Sequence, residues 1–428
     1  MKKPHIVFVL NYFYPDLASI AQLLTELVTH LKDDFRLTVI TAQPGYAGEE
    51  VMETKRVAYD QMDQIRIIRI KLPKVNKRNK FSRLKYISTY FFYANFLLLR
   101  QKDVDLIYTT SQPPILGGLI GTIGKIFKRC MHVYNIQDFN PEQAEATGFM
   151  KSRLVFRIAK WIDNLNCRFA DHIVTIGQEM QETLKKRFSN RTVPESSVIF
   201  NWANEEDIVP LPKEYPQVEA FKKQYGLLDK FIVMYSGNIG LYYDLENLIK
   251  IAYEFRDVPD LAFVFIGEGA VKQTLVDYAN EHHLQNVYFV PYQLVENLKY
   301  SLNAADIHLV VNQKGIKGVS VPSKIYGVMA AGKPVLGVLE KGSEAHRLIQ
   351  ESGCGNVVEP QQYAEIIACI KEMYAMNRDD LVTRGLKGRQ YLDQHLRKDI
   401  ALDQYLALLK TFRYRSQYGQ EQRMEVAK

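Results

Sequence analysis

The chain has 428 residues, a net charge of +7, and is 47% hydrophobic and 24% charged. That length allows two or three domains with large cores, and the composition is that of a folded globular protein, not a disordered or fibrous one. The charge is too modest to imply a nucleic-acid partner. Cys130, Cys167, Cys354 and Cys369 lie too far apart for a metal site or a disulfide framework, so a reducing cytoplasm fits.

"MKKPHIVFVLNYFYPD" has an apolar run of five residues before Asn11, too short for a secretory signal, and "IVFVL" reads as a buried first strand. A helical pattern from about Ser19 to Leu31 follows, then the strand "RLTVIT". "QIRIIRI", "VDLIYTT", "MHVYNIQ" and "DHIVTIG" continue the series to about residue 176. Residues 106–124 are uncharged and raise the question of a membrane span. "TTSQPP" interrupts them, so strand, turn and helix start is the better reading. A stretch rich in Pro, Asn and acid, "NWANEEDIVPLPKEYPQ", closes this half. The alternation restarts with "FIVMYSG", "LAFVFIG", "NVYFV", "DIHLVV", "PVLGV" and "GNVVE".

Short apolar strands alternating with helical patterns predict parallel sheet with helices on both faces. The expectation is an α/β chain of two Rossmann-like domains facing across a cleft, residues 1–203 and 204–395, followed by a helical tail over 396–428. Sheets of this kind take ligands at the carboxyl ends of their strands, so the loops after strands are where chemistry belongs.

Three such loops stand out in the second half. "YSGNIG" offers Gly237, Asn238 and Gly240; "FIGEGA" offers Gly267 and Glu268; "EKGSEAHRL" opens a helix at Ser343 and Glu344. Glycines between strand and helix let backbone N–H groups approach a phosphate, although each could be a plain tight turn. "SVPSKIYGVMAAGKPVLG" adds a lysine. Pro322 suits a first helical turn, Ser320 or Ser323 can cap it, and Gly332 with Pro334 ends it. Lys324 then sits where the helix dipole is already positive, and the two repel unless an anion lies there. A snorkelling surface lysine is the alternative. Three loops and one cation on a single sheet edge suggest a diphosphate and its nucleoside.

In order and spacing, "YSGNIG", "FIGEGA", "NVYFVPY", "AADIHLVV", "SVPSKIYGVMAAGKPVLG" and "ESGCGNVVEP" resemble the retaining glycosyltransferases of family 4, which have the GT-B fold. "NYFYPDLASIAQLLTEL" and "FNWAN" resemble the opening loop and inter-domain segment of the same family. The resemblance extends to the subgroup of colanic acid, capsule and O-antigen assembly, in the manner of N-acetylfucosamine transferases. It implies a nucleotide-sugar donor held by Gly237, Asn238, Gly240, Gly267, Glu268, Tyr292, Ser320, Ser323, Lys324, Ser343 and Glu344. It also implies a C-terminal helix that returns to the first domain.

The chain departs from the family in two places. The usual E-x7-E glutamates, the second of which holds the ribose, fall at Val319 and Gly327. The usual arginine–lysine pair that grips the diphosphate falls at Asn238 and Tyr243. Lys324 is therefore expected to be the replacement cation. Where many members have His-Asp beside the donor sugar, this chain has Gln137 and Asp138. Asp138 and Glu142 are the carboxylates expected to act as base or to orient the acceptor hydroxyl, and both could instead be helix caps. Gln137, Asp16 and Ser19 are expected near the acceptor, with Ser19 alternatively an N-cap.

Asp103-Val104-Asp105 matches a metal-binding D-x-D but enters a strand instead of leaving one, and His282-His283 reads as an exposed helix end, so no metal or other cofactor is expected. Residues 71–102 carry Lys71, Lys74, Lys77, Arg78, Lys80, Arg83, Lys85, Arg100 and Lys102, with no acid within 71–102 before Lys102, around the uncharged "YISTYFFYANFLLL". That stretch is too short to span a bilayer; it suits an anionic membrane surface, or a core helix with a basic flank. The expectation is a glycosyltransferase, peripheral on the inner face of the membrane, moving a sugar from a UDP-sugar to a polyprenyl-diphosphate-linked acceptor. The alternatives are an inactive donor-binding scaffold, a GT-B-type sugar epimerase and, against the absence of glycine after the first strand, a nicotinamide dehydrogenase.

Overall fold

The computed structural model describes residues 3–16, 18–44, 55–73, 80–148, 150 and 152–426. They form two compact units. The first holds the described residues up to Glu145, Met150–Phe200 and those from Ala401 onward; the second holds Asn201–Ile400 and the short stretch from Ala146.

The first unit runs β1 (His5–Leu10), α1 (Ser19–His30), β2 (Arg36–Ala42), β3 (Val57–Met62), β4 (Ile65–Ile70), α2 (Lys80–Arg100), β5 (Leu106–Thr110), α3 (Leu116–Lys128), β6 (Met131–Ile136), α4 (Glu142–Ala146), α5 (Arg153–Phe169), β7 (His172–Thr175), α6 (Gln178–Arg187) and β8 (Ser196–Val198). They build one sheet in the order β3-β4-β2-β1-β5-β6-β7-β8. All six residues of β1 are buried, so both sheet faces need cover, and helical crossovers between parallel strands supply it. β3, "VAYDQM", is largely exposed and pairs antiparallel with β4 at the edge. This is the one departure from the all-parallel expectation. Residues 106–124 divide between β5 and α3 as expected, and no described helix is long and apolar enough to cross a membrane.

The second unit contains α7 (Pro216–Gln224), β9 (Phe231–Ser236), α8 (Leu245–Leu248), β10 (Leu261–Ile266), α9 (Lys272–Glu281), β11 (Val287–Val290), α10 (Val295–Asn303), β12 (Ile307–Val311), α11 (Lys324–Ala330), β13 (Val335–Val338), α12 (Glu344–Ser352), β14 (Gly355–Val358), α13 (Tyr363–Ala375) and α14 (Arg378–His395). Its sheet is parallel throughout, in the order β11-β10-β9-β12-β13-β14. Sheet growth reverses between β9 and β12, so the loops leaving these strands open at a topological switch point. β1 and β5 make the corresponding switch point in the first sheet.

The last helix, α15 (Lys398–Val426), begins in the second unit and continues into the first. Val7 and Val9 pack with Tyr90, Ala94 and Leu98 of α2 on one sheet face. Phe8 points the other way. Its ring lies 4.8 Å from that of Tyr108, and Tyr108 meets Tyr405 of α15 at 6.3 Å. Asn135 Nδ2 donates to the Tyr405 hydroxyl at 2.5 Å, so α15 is fixed by a buried polar contact as well as by apolar packing.

Candidate functional site

The switch point of the second sheet is built from two interlocked glycine loops. Gly237 follows β9 with φ +141°, and Gly267 follows β10 with φ +132°. Both angles disfavour any residue with a Cβ. The space excludes one too: a Cβ on Gly267 would stand 2.1 Å from the Gly237 carbonyl oxygen, and a Cβ on Gly237 would stand 2.4 Å from Lys324 Cε. The Ile239 N–H donates to the Glu268 carbonyl at 2.9 Å, which closes the second contact between the loops. Tyr235 Oη donates to the Asn238 carbonyl at 2.6 Å and pins the turn from below.

Lys324 is the first residue of α11, and its stem crosses Gly237. The amine lies 3.6 Å from the centre of the Tyr243 ring and 4.9 Å from that of Tyr235. Part of the residue reaches solvent, yet the rings and the glycine loop surround the amine, and desolvation pulls its pKa down to about 7. Ring faces offset some of the lost hydration, but they supply no full counter-charge. The structure thus brings Gly237, Tyr243 and Lys324 into one cluster at the switch point. The Tyr235–Tyr243 cradle is the part that sequence reasoning missed; in the sequence, Tyr243 registers only as the loss of a cation.

The remaining donor-side candidates take varied places. Glu268 is exposed and pairs with Lys272 at 2.7 Å. Tyr292 is exposed after β11, and Ser320 is half-buried. Ser323 occupies the N-cap position of α11, but its side chain makes no capping bond and its backbone is already helical, so the expected hydroxyl cap is absent at this position. Gly240 packs against the Asn238 side chain. Ser343 and Glu344 are buried at the start of α12, after β13; Glu344 pairs with Arg347, and Ser343 Oγ has no hydrogen-bond partner among the described residues.

In the first unit, Ser111 follows β5 and its Oγ accepts the N–H groups of Gln137 at 3.1 Å and Asp138 at 3.2 Å. This draws the loops after β5 and β6 together. Gln137 is buried and its Nε2 donates to Asn135 Oδ1 at 2.7 Å, which ties it to the Asn135–Tyr405 contact. Asp138 is half-buried. Glu142 is differently placed. Burial would raise its carboxyl, but Arg187 and then Lys160 outweigh that and hold it below the usual carboxylate range. Lys160 Nζ lies 3.0 Å from its Oε1, Arg187 pairs with both its oxygens, and the same Arg187 binds Asp163. A carboxylate occupied in this way is built for structure.

Asp16 is buried and its Oδ1 accepts the Ala18 N–H at 3.2 Å, a local turn at the head of α1. Ser19 is exposed as the first residue of α1, with Ala18 in the N-cap position, so Ser19 is no N-cap. Of the D-x-D pair, the Asp105 carboxylate serves the first sheet, its Oδ2 accepting the His5 N–H at 2.8 Å, while the Asp103 backbone carbonyl accepts from Arg36 at 3.1 Å. Among the described residues no group of His, Cys, Asp and Glu is arranged to hold a metal ion.

Two Rossmann-like units, with interlocked glycine loops at the switch point of the second, make a GT-B architecture. Residues 217–387 match the family model of glycosyl transferases group 1. The chain is 30% identical over 355 residues to the probable glycosyltransferase WbjE of Pseudomonas aeruginosa, covering 79% of this chain and 83% of that one. It is 26% identical over 419 residues to the putative colanic acid biosynthesis glycosyl transferase WcaI of Escherichia coli K12, covering 94% and 98%. Among solved structures, sucrose-phosphate synthase from Thermosynechococcus elongatus matches with a TM-score of 0.73 at 16% identity, over 96% of this chain and 99% of that one. Anabaena HepE in complex with UDP-glucose matches with a TM-score of 0.68 at 16% identity, over 95% and 99%. The chain belongs to the glycosyl transferases of group 1 and is a glycosyltransferase.

Proposed function

We propose that the chain transfers a sugar from a UDP-sugar to a polyprenyl-diphosphate-linked acceptor during bacterial surface polysaccharide assembly, with retention at the anomeric carbon, on the inner face of the cell membrane. The observation that carries the donor half is the Gly237–Tyr243–Lys324 cluster. A cation held in apolar surroundings at a switch point gains most when a dianion arrives. HepE, a structural neighbour, is solved with UDP-glucose, and the trehalose-6-phosphate enzyme of E. coli with UDP-2-fluoro glucose. The colanic acid name of WcaI supports the polysaccharide setting.

In this reading the bond between the anomeric carbon and the donor phosphate oxygen breaks, and the acceptor hydroxyl oxygen bonds to the same carbon on the same face. Lys324 and the backbone N–H groups of the glycine loops stabilise the charge that collects on the departing diphosphate. Asp138 orients the acceptor hydroxyl or takes its proton. A panel of nucleotide sugars scored by nucleotide release, with and without membrane extract as acceptor source, tests this. Release from a UDP-sugar that Lys324→Ala lowers by about tenfold or more supports it. Tight UDP binding without release from any donor would favour an inactive scaffold, and interconversion of free sugars an epimerase.

A further inference from the structure

Helices α2, α3 and α5 lie side by side, α2 packed on α3 and α3 on α5. They carry four, two and four basic residues, against a single acid, Asp163, which is buried. Of the large apolar side chains exposed in the described part of the first unit, α2 supplies four, α3 two and α5 five, with only three elsewhere. One layer of the unit therefore combines its exposed apolar surface with an excess of basic residues, of which Lys125 is paired with Asp171 and Lys160 with Glu142.

α5 is the extreme case, because its amphipathicity is reversed. Its inward residues are Ala159, Asp163, Asn166 and Cys167. Asp163 accepts from the Tyr134 hydroxyl at 3.0 Å and Asn166 Nδ2 donates to the Ile115 carbonyl at 2.9 Å, so polar bonds hold the helix down. Its outward stripe is apolar: Leu154 is 68% exposed, Ile158 50% and Trp161 62%, at helical spacing. Helices of soluble proteins do the opposite. Beside Trp161 a cavity of about 430 Å3 opens between α5 and the Phe188–Arg191 turn. Arg157, Arg168 and Arg191 line it, and none of the three has an ion-pair partner among the described residues.

We propose that α5 lies along the bilayer–water boundary of an anionic membrane, with α2 and α3 beside it, and that the arginine-lined cavity takes the phosphate of an anionic lipid headgroup. An apolar stripe flanked by cations, with tryptophan at the middle of the helix, has the chemistry of an in-plane interfacial helix. A second copy of the chain is a poor occupant, because pairing this face with itself sets cations against cations. The proposal extends the lipid-linked acceptor reading from one basic helix to a defined face. Its test needs neither donor nor acceptor, so the two can fail separately.

The test is vesicle co-sedimentation of the full chain, with phosphatidylcholine alone and with phosphatidylglycerol added, together with tryptophan emission. The chain has two tryptophans, and Trp202 is buried, so a lipid-dependent change reports Trp161. The expected result is binding to anionic vesicles, a blue shift, and quenching by lipids brominated in the acyl chain. Arg157→Gln, Arg168→Gln and Arg191→Gln together should weaken anionic-vesicle binding by roughly fivefold per charge, on the order of a hundredfold in all. Melting temperature should hold, because the three side chains are exposed. Absence of vesicle binding at low salt overturns the proposal. So does binding that leaves the emission unchanged, or a free chain that self-associates and buries Trp161.

Discussion

The amine of Lys324 rests 3.6 Å from the centre of the Tyr243 ring, where the wider family is expected to place a lysine of its own. If Lys324 binds the donor diphosphate as proposed, it stands in from α11 for the lysine that the family resemblance expects in the loop after β9, and Tyr243 at that position is its aromatic seat.

Lys324→Ala should lower affinity for UDP or a UDP-sugar by about tenfold or more, since a charge-assisted hydrogen bond is worth roughly 1.5–3 kcal/mol. The melting temperature should change little, because the amine has no buried counter-charge to orphan. Adding Tyr243→Lys to that variant should restore part of the affinity. Isothermal titration of the wild type and both variants checks this; equal affinities would remove Lys324 from the site.

The same amine makes donor binding proton-linked. Its pKa of about 7 in the free protein means that a bound diphosphate, which raises it, must draw in a proton above neutrality. The terminal phosphate has finished ionising by then. Titration at pH 8 in buffers of different ionisation enthalpy should show proton uptake in the wild type and none in Lys324→Met, and affinity should fall as pH climbs from 7 to 9. For folding the sign reverses. The unfolded amine titrates near 10.4, so between about 7 and 10.4 the unfolded chain holds the extra proton, and this group adds stability as pH rises through that window.

Asp138 and Glu142 should separate cleanly. Asp138→Asn removes charge but keeps size, and is expected to lower kcat by roughly 10²–10⁴ with UDP affinity nearly unchanged. Glu142→Gln breaks a carboxylate away from buried Arg187 and should cost about 3–5 kcal/mol of stability. Thermal melts and steady-state kinetics on both variants decide it. Full activity in Asp138→Asn would return that residue to a structural role. EDTA is expected to leave wild-type turnover unchanged in the same assay.

Gly237→Ala and Gly267→Ala differ in what yields. The new methyl at 237 meets a flexible lysine stem, whereas the one at 267 meets a backbone carbonyl. Gly267→Ala should lower the melting temperature more, and Gly237→Ala should lose UDP affinity out of proportion to its stability, by displacing Lys324. A reversed order would mean that the loops are not interlocked as described.

The strands were legible wherever burial is complete. "IVFVL" and "LAFVFI" are unbroken apolar runs with every residue buried, and such runs admit few readings. β3 was not legible, because an edge strand with five of its six side chains exposed or half-buried carries no apolar pattern. The glycine loops and Lys324 could be placed on one sheet edge from strand order alone. The Tyr243 seat could not, since it depends on where α11 returns. Serine caps at Ser19 and Ser323 were plausible from local preference, but Ala18 takes the first N-cap and the Ser323 hydroxyl makes no capping bond. The basic stretch around α2 was visible as composition, though Lys74, Lys77 and Arg78 lie outside the described residues; α5 escaped notice because the direction its apolar stripe faces is a tertiary fact.

The Asn135–Tyr405 hydrogen bond spans 270 residues of chain, and the second unit lies within that span. At about 5–20 residues per second, a ribosome that has just made Asn135 needs roughly 15–55 s to reach Tyr405. Through that interval the β5 and β6 surface around Tyr108 has no α15 to cover it, while the intervening unit is being made and can close on its own contacts. The sheet begun first is therefore finished last, and the nascent chain presents an aromatic surface to chaperones for as long as it takes to translate an entire second unit.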